Sequence, residues 1–222
     1  LIMIGNKKHY LIAGSTGLIG KQLLSLLLND PETGKVTSLV RKSSGITNEK
    51  LQEKAINWDT FTDNEIPPNV DATFCCLGTT MANAGSKDAF RKVDFEYVSK
   101  LAVFSQRKDI PQFHVVSAAG SNPNSKIFYN KVKGRMEVEI QKLDQLKSIY
   151  IYRPSMLLGD RKEFRFGEFA GKILMKGLSF IIPKSSKAIY DSQVAHAMLH
   201  HAEQPKKGSH IVTNAEMLDL SA

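Results

Sequence analysis

Tyr129 and Lys133 stand one helical turn apart, a spacing that puts a phenol and an ammonium on the same helix face. A lysine charge beside a phenol favours the phenolate. Tyr129 is therefore suited to give and take a proton at a carbonyl/alcohol couple near neutral pH. Met136 and Ile140 continue the same row, beside a second apolar row of Phe128, Val132 and Leu143, so the pair falls at the margin of a buried face. Ser117 follows the strand-like run 113–116 just before this helix, where open α/β sheets present their ligands. Its hydroxyl is expected to hydrogen-bond a substrate oxygen, polarise it and hold it against Tyr129. Taken singly, YxxxK is an ordinary Tyr/Lys pair and Ser117 a turn-capping serine. In this order, behind a glycine triad, the three argue for a site.

These groups need a frame. An apolar run over 9–13 leads into Gly14-Ser15-Thr16-Gly17-Leu18-Ile19-Gly20, and helical periodicity then covers 18–28 before Asn29-Asp30-Pro31 breaks it. Strand, glycine turn and helix make a βα unit whose helix N-terminus points free N–H groups at a pyrophosphate. Gly14 allows a sharp turn, Gly17 a close backbone approach to phosphate, and Gly20 close packing of helix on strand. Further strand patterns fall at 36–40, 55–58, 71–77, 113–116, 149–152 and 210–212. Helix patterns fall at 88–106, 128–144, 167–176 and 191–203. The alternation predicts an α/β fold: a doubly wound Rossmann-type parallel sheet with helices on both faces and a small C-terminal substrate-side extension. One NAD(P)-binding domain is expected over 1–222, with 155–222 supplying most of the extension.

Cofactor choice has its own physical test. NAD binders usually end the second strand on an acidic residue that holds the ribose 2′-OH. Here that strand ends Leu39-Val40-Arg41-Lys42, and a guanidinium pairs with a 2′-phosphate where a carboxylate would repel it. The cofactor is therefore read as NADP(H), with Arg41 as the discriminator. Asp59, after the third strand, is read as an adenine contact.

The bulk numbers narrow the classes. The chain has 222 residues, a formal net charge of +8, 42% hydrophobic and 23% charged residues, as a soluble globular protein does. No apolar run reaches the length of a membrane span, and the apolar start over 1–5 is short for a signal segment, so a cytoplasmic protein without a membrane partner is expected. Cys75 and Cys76 are adjacent in an apolar run and read as reduced, buried thiols. His196, His200 and His201 lack the companions of a metal site, and none is expected. The basic residues between 161 and 187 match no nucleic-acid module and read as a solvated face. Phe164, Phe166, Phe169, Met175 and Phe180 read as core or lid packing, or as the lining of an apolar pocket.

Five segments are shared with a known family: GSTGLIG at 14–20, CCLGTT at 75–80, AFRKVDFEYV at 89–98, Tyr129-x-x-x-Lys133-Gly134, and RPSMLLGDR at 153–161. By them the chain resembles the short-chain dehydrogenase/reductase superfamily over nearly its whole length. Within it, the chain is most similar to the atypical, Tat-interacting-protein-like NAD(P)-binding branch. The resemblance implies that Gly14, Gly17 and Gly20 are the cofactor glycines, with Ser15, Thr16, Leu18 and Ile19 in the same turn. It implies that Ser117, Tyr129 and Lys133 are the catalytic serine, tyrosine and lysine, and that Lys133 also holds the nicotinamide ribose. Leu77, Gly78 and Thr79 would lie along the cofactor, and Leu157 and Leu158 would flank the nicotinamide. In one departure, Asp94 stands where many superfamily members carry a catalytic asparagine. The expected activity is an NADP(H)-dependent oxidoreductase acting on a small-molecule carbonyl/alcohol substrate. The alternatives are an NADPH-binding regulatory protein with a protein partner or a homodimer interface, and sugar-nucleotide chemistry.

Overall fold

The computed structural model describes residues 7–159 and 183–221. Its elements run β1 (Lys8–Ala13), α1 (Leu18–Asn29), β2 (Thr33–Val40), β3 (Leu51–Ala55), β4 (Ala72–Cys75), α2 (Met81–Ala84), α3 (Lys87–Arg91), α4 (Val98–Arg107), β5 (Gln112–Val116), α5 (Phe128–Gln141), β6 (Ser148–Arg153), β7 (Leu157–Leu158), β8 (Ile189–Tyr190), α6 (Asp191–Glu203), β9 (Gly208–Thr213) and α7 (Asn214–Asp219). A π-helical turn, Lys92–Tyr97, joins α3 to α4.

Seven strands form a sheet in the order β3-β2-β1-β4-β5-β6-β9, and every pairing in it is parallel. Alternate strand residues face opposite ways, so each strand feeds two cores. Tyr10 and Ile12 of β1 and Tyr150 and Tyr152 of β6 pack with Leu23 and Leu27 of α1 and with Val194 and Met198 of α6. Their neighbours Leu11, Ala13, Ile149 and Ile151 face the other way, onto Val98 and Leu101 of α4 and Met136 and Ile140 of α5. Each fully buried leucine contributes about 1.5–3 kcal/mol, so the apolar stripes of the helices hold them to the sheet. The fold is thus the doubly wound Rossmann-type sheet expected. The chain leaves β1 in one direction toward β3 and returns to the other side through β4. That reversal opens a crevice at the carboxyl ends of β1 and β4.

Local boundaries depart from expectation for physical reasons. The third strand is Leu51–Ala55, paired with β2 from Val36 to Val40, and not the run 55–58; Trp58 instead buries its ring in the loop beyond, against Phe61 and Tyr97. The fourth strand is Ala72–Cys75, shorter than 71–77. The helix expected over 88–106 is broken by the π turn, which widens the helix and carries Asp94 inward. The C-terminal tail forms α7, opened by a capping box of Thr213 and Glu216. The helix expected over 167–176, the aromatic residues Phe164 to Phe180 and most of the basic stretch lie outside the described residues. Cys75 and Cys76 are both free thiols; burial pushes the Cys75 thiol up to about 12 and raises Cys76 as well.

A buried polar chain ties β5, β6 and α6 together. His114 lies between Phe74 and Tyr150, stacked on the latter at 4.9 Å. Its Nε2 meets Gln112 Oε1 at 3.1 Å, and a carbonyl oxygen only accepts, so Nε2 carries the proton and Nδ1 accepts from the Tyr152 hydroxyl at 3.0 Å. Burial, and then the neighbouring His201 charge, hold His114 down at about 3, against 6.5 for an exposed imidazole. The folded state therefore binds fewer protons than the unfolded chain between those values. This stabilisation is complete above about pH 6.5 and is lost as pH falls, by about 1.4 kcal/mol per unit. Urea unfolding is expected to give a stability about 2 kcal/mol lower at pH 5 than at pH 7 from this group alone. A flat profile over that interval would count against the buried neutral imidazole.

Candidate active site

The glycine turn is shaped by backbone contacts. Gly14 takes φ +83°, a conformation L side chains rarely adopt, and a Cβ there would lie 2.5 Å from the Cys76 carbonyl oxygen. A Cβ on Gly20 would lie 2.1 Å from the Gly14 oxygen, so α1 can pack on β1 only without it. Gly17 is different. Its N–H donates to the Gly14 oxygen at 3.0 Å, and a Cβ on it would meet only that oxygen, at 3.3 Å. The remaining space beside Gly17 is open, and no side chain caps the first turn of α1. Uncapped N–H groups at a helix start fit a diphosphate. Within the turn the Ser15 hydroxyl is tied to Ser38 of β2 at 2.7 Å, Thr16 is exposed, Leu18 is half-buried, and the Ile19 side chain belongs to the core.

Arg41 stands exposed one residue past the end of β2. Beyond it, the Ser43 and Ser44 hydroxyls donate to Glu53 of β3, which orders the loop. Asp59 lies in the loop four residues past β3: its carboxylate accepts from the Tyr97 hydroxyl at 2.6 Å and pairs with Lys92 at 2.7 Å. It thereby fastens the β3–β4 connection to the π turn.

After β4 the chain passes over a buried ion pair. Lys133 Nζ lies 2.9 Å from Asp94 Oδ1, and the two side chains are 4% and 1% exposed. Asp94 Oδ2 accepts the Thr79 N–H at 2.8 Å, while Oδ1 has no aligned hydrogen bond beyond the ion pair. Lys133 also donates to the Val116 carbonyl at 3.3 Å. A Cβ on Gly78 would lie 3.4 Å from Asp94 Oδ1 and 3.8 Å from Lys133 Nζ, so Gly78 covers both. Leu77 packs against the core on the α4–α5 side. Burial works against the Lys133 charge, but Asp94 and then the Tyr129 phenol outweigh it, and the ammonium is held above its ordinary range. Tyr129 is half-buried one turn earlier on α5, its ring 5.4 Å from that of Phe90.

Ser117 follows β5, its N–H donating to the Tyr152 carbonyl at 2.7 Å. Its hydroxyl is engaged within the protein. Ser117 Oγ donates to Glu137 Oε1 and lies 2.8 Å from Ser121 Oγ. Glu137 is in turn clamped by Arg153, whose Nε donates to Oε1 at 3.1 Å and whose Nη2 donates to Oε2. Sequence reasoning missed Glu137 and Arg153. The signal was the spacing: Tyr129, Lys133 and Glu137 repeat every four residues down one face of α5. Leu157 and Leu158 are half-buried in β7, which pairs with β8. A Cβ on the following Gly159 would meet Asp191 and Leu18, which brings β7 beside the glycine turn. The structure thus gathers the turn 14–20, Gly78, Lys133, Leu158 and Ser117 at the carboxyl end of the sheet.

A doubly wound parallel sheet, an open glycine turn at its reversal point and a Tyr/Lys pair beside it define an atypical NAD(P)-binding protein of the short-chain dehydrogenase/reductase type. Residues 12–74 match an NAD-binding family described as "Male sterility protein". Protein HTATIP2 of Rattus norvegicus is 30% identical over 96% of this chain and 89% of its own length. Protein FMP52, mitochondrial, of Saccharomyces cerevisiae is 30% identical over 96% of each. The chain belongs to this HTATIP2/FMP52 family. Among solved structures, a UDP-N-acetylglucosamine 4-epimerase from Methanobrevibacter ruminantium superposes with a TM-score of 0.72 at 18% identity, covering 94% of this chain and 77% of that one. MoeE5 in complex with UDP-glucuronic acid and NAD superposes with the same score at 15% identity, over 91% and 75%. At such identities the likeness is one of fold. The expectation of a cytoplasmic protein is overturned, because the fungal relatives are named as mitochondrial proteins. Among the described residues, no helix is long and apolar enough to cross a membrane.

Proposed function

We propose that the protein is an NADP(H)-dependent oxidoreductase that interconverts a carbonyl and an alcohol, with Tyr129 as the proton donor and acceptor. The observation that carries this reading is the Lys133 ammonium: buried, held charged by Asp94, one turn from Tyr129 and covered by Gly78. The residues fit a nicotinamide dinucleotide, since the open side of Gly17 and the uncapped start of α1 leave room for a diphosphate. When bound, the reduced nicotinamide supplies the hydride. Tyr129 gives its proton to the carbonyl oxygen as the carbon is reduced, and takes it back in the alcohol direction. Lys133 stabilises the phenolate left behind and orients the ribose. Asp94, in place of an asparagine, keeps Lys133 charged at this depth. Holding carbonyl and phenol in register supplies the remainder of the rate.

The exposed Arg41 supports NADP(H) over NAD(H). Replacing Arg41 with aspartate is expected to weaken NADPH binding at least about thirtyfold and NADH binding about threefold or less, because a 2′-phosphate then meets a carboxylate. A fluorescence titration with both nucleotides measures the ratio, and an unchanged ratio would remove Arg41 from the assignment. The activity itself is tested by following NADPH oxidation across a panel of aldehydes and ketones. Tight NADPH binding without turnover of any of them would favour a regulatory NADPH-binding protein.

A further inference from the structure

The loop that follows β2 is fastened at one place. Arg41 and Lys42 lie just past the end of β2. Asn48 turns the chain into β3: its side chain accepts the Lys50 N–H at 2.9 Å and its carbonyl the Leu51 N–H at 3.1 Å. Over 41–47, among the described residues, every hydrogen bond from the loop to another element goes to the Glu53 carboxylate. The Ser43 hydroxyl donates to Oε2, the Ser44 hydroxyl to Oε1, and the Ser44 N–H to Oε2 at 3.0 Å. Burial works against the Glu53 charge, but the bonds from Ser43 and Ser44 outweigh it and hold the carboxyl below its ordinary range. Glu53 itself is fixed by the ladder, opposite Ser38 of β2. Both of its oxygens are thus taken by the loop. Among the described residues Arg41 forms no ion pair, with Glu53 or any other carboxylate.

We propose that Glu53 determines cofactor selectivity together with Arg41: by tying Ser43 and Ser44 to β3, it holds the Arg41-Lys42 segment ready for the 2′-phosphate of NADP(H). This rests on the NADP(H) reading above. Glu53 is a positioning residue: it touches Ser43 and Ser44 and not the nucleotide. A segment pinned on both sides pays its ordering entropy on folding, not on binding. The glycine turn proposed for the diphosphate belongs to β1 and α1, so loosening the loop acts on the 2′-phosphate alone. The sign is diagnostic. A carboxylate acting only through its charge would repel the phosphate, and its removal would tighten NADPH binding; removing the tie weakens it.

The test is a fluorescence titration of the full chain with NADPH and with NADH. Glu53→Ala is expected to weaken NADPH about tenfold and NADH about twofold or less. Ser43→Ala/Ser44→Ala leaves the carboxylate and removes its partners, and it is expected to weaken NADPH at least as much. It carries the same test from the loop side if Glu53→Ala disturbs β3. All three substitutions together are expected to be no worse than the serine pair alone, because each set breaks the same link. Tighter NADPH binding in Glu53→Ala overturns the proposal, as do an unchanged NADPH/NADH ratio and effects of the two sets that simply add. The tie is read separately, in the ligand-free protein, from exchange of the Ser44 amide by NMR. That amide is expected to exchange about tenfold faster in Glu53→Ala than in the wild type. Equal rates overturn the tie and the proposal with it. Faster exchange in Glu53→Ala, in a protein whose wild type binds NADPH and NADH alike, refutes the selectivity role and the NADP(H) reading, and leaves the tie between Glu53 and the loop standing.

Discussion

Replacing Tyr129 with phenylalanine is expected to lower kcat for carbonyl reduction by about 10²–10⁴-fold, the usual contribution of a positioned general acid. NADPH affinity is expected to stay within about threefold, because a half-buried ring that packs on Phe90 at 5.4 Å is preserved and only its hydroxyl is lost. Lys133 keeps Asp94 and the Val116 carbonyl as partners, so the buried charge is not orphaned. Stability should therefore change by less than about 1 kcal/mol. Stopped-flow reduction under single-turnover conditions isolates the chemical step from product release. Wild-type rates in the variant would remove Tyr129 from the chemistry, and a large loss of NADPH affinity would make its role one of binding.

The second large effect separates two glycines of one turn. Gly20→Ala sets a methyl group 2.1 Å from the Gly14 oxygen and 2.8 Å from its carbonyl carbon, both backbone atoms that cannot swing aside. Helix α1 must move off β1, which is expected to cost about 3 kcal/mol or more and to abolish cofactor binding. Gly17→Ala meets only the Gly14 oxygen at 3.3 Å, at φ −78°, a value any residue adopts. It is expected to cost about 1 kcal/mol or less, part of that from alanine being a poorer N-cap than glycine. Yet it should weaken NADPH about thirtyfold or more, because the methyl group fills the space beside the helix start. Thermal unfolding with and without NADPH measures both quantities. A Gly17→Ala protein that binds NADPH normally would move the dinucleotide away from this turn.

The elements that announced themselves were those whose local chemistry and tertiary role agree. Helix α6 begins and ends where its apolar period does, and the glycine turn lies between β1 and α1 as read. The misread elements are those where packing overrode pattern. Leu51–Ala55 carries three consecutive polar residues, Gln52-Glu53-Lys54, and it becomes a strand because β2 offers it an edge. Trp58 has strong strand character but is drawn into the loop by Phe61 and Tyr97. The π turn escaped the hydrophobic period because the buried row steps by four, Phe90, Asp94, Val98 and Ala102, and one of its members is a carboxylate rather than an apolar side chain.

The site divides in the same way. The spacings within Gly14–Gly20 and between Tyr129 and Lys133 are local, a few residues along one turn or one helix face. The amino-acid sequence alone determined the glycine turn, the Tyr129/Lys133 spacing and the parallel sheet that carries both. The partners of those groups come from far along the chain: Asp94 to Lys133, Ser117 to Glu137, Glu137 to Arg153, Asp59 to Tyr97. Only the tertiary structure decided them, because a buried charge or hydroxyl takes whichever donor or acceptor the packed sheet brings within about 3 Å. Tyr129 and Lys133 could be read as a chemical pair, but the direction of the Ser117 proton could not.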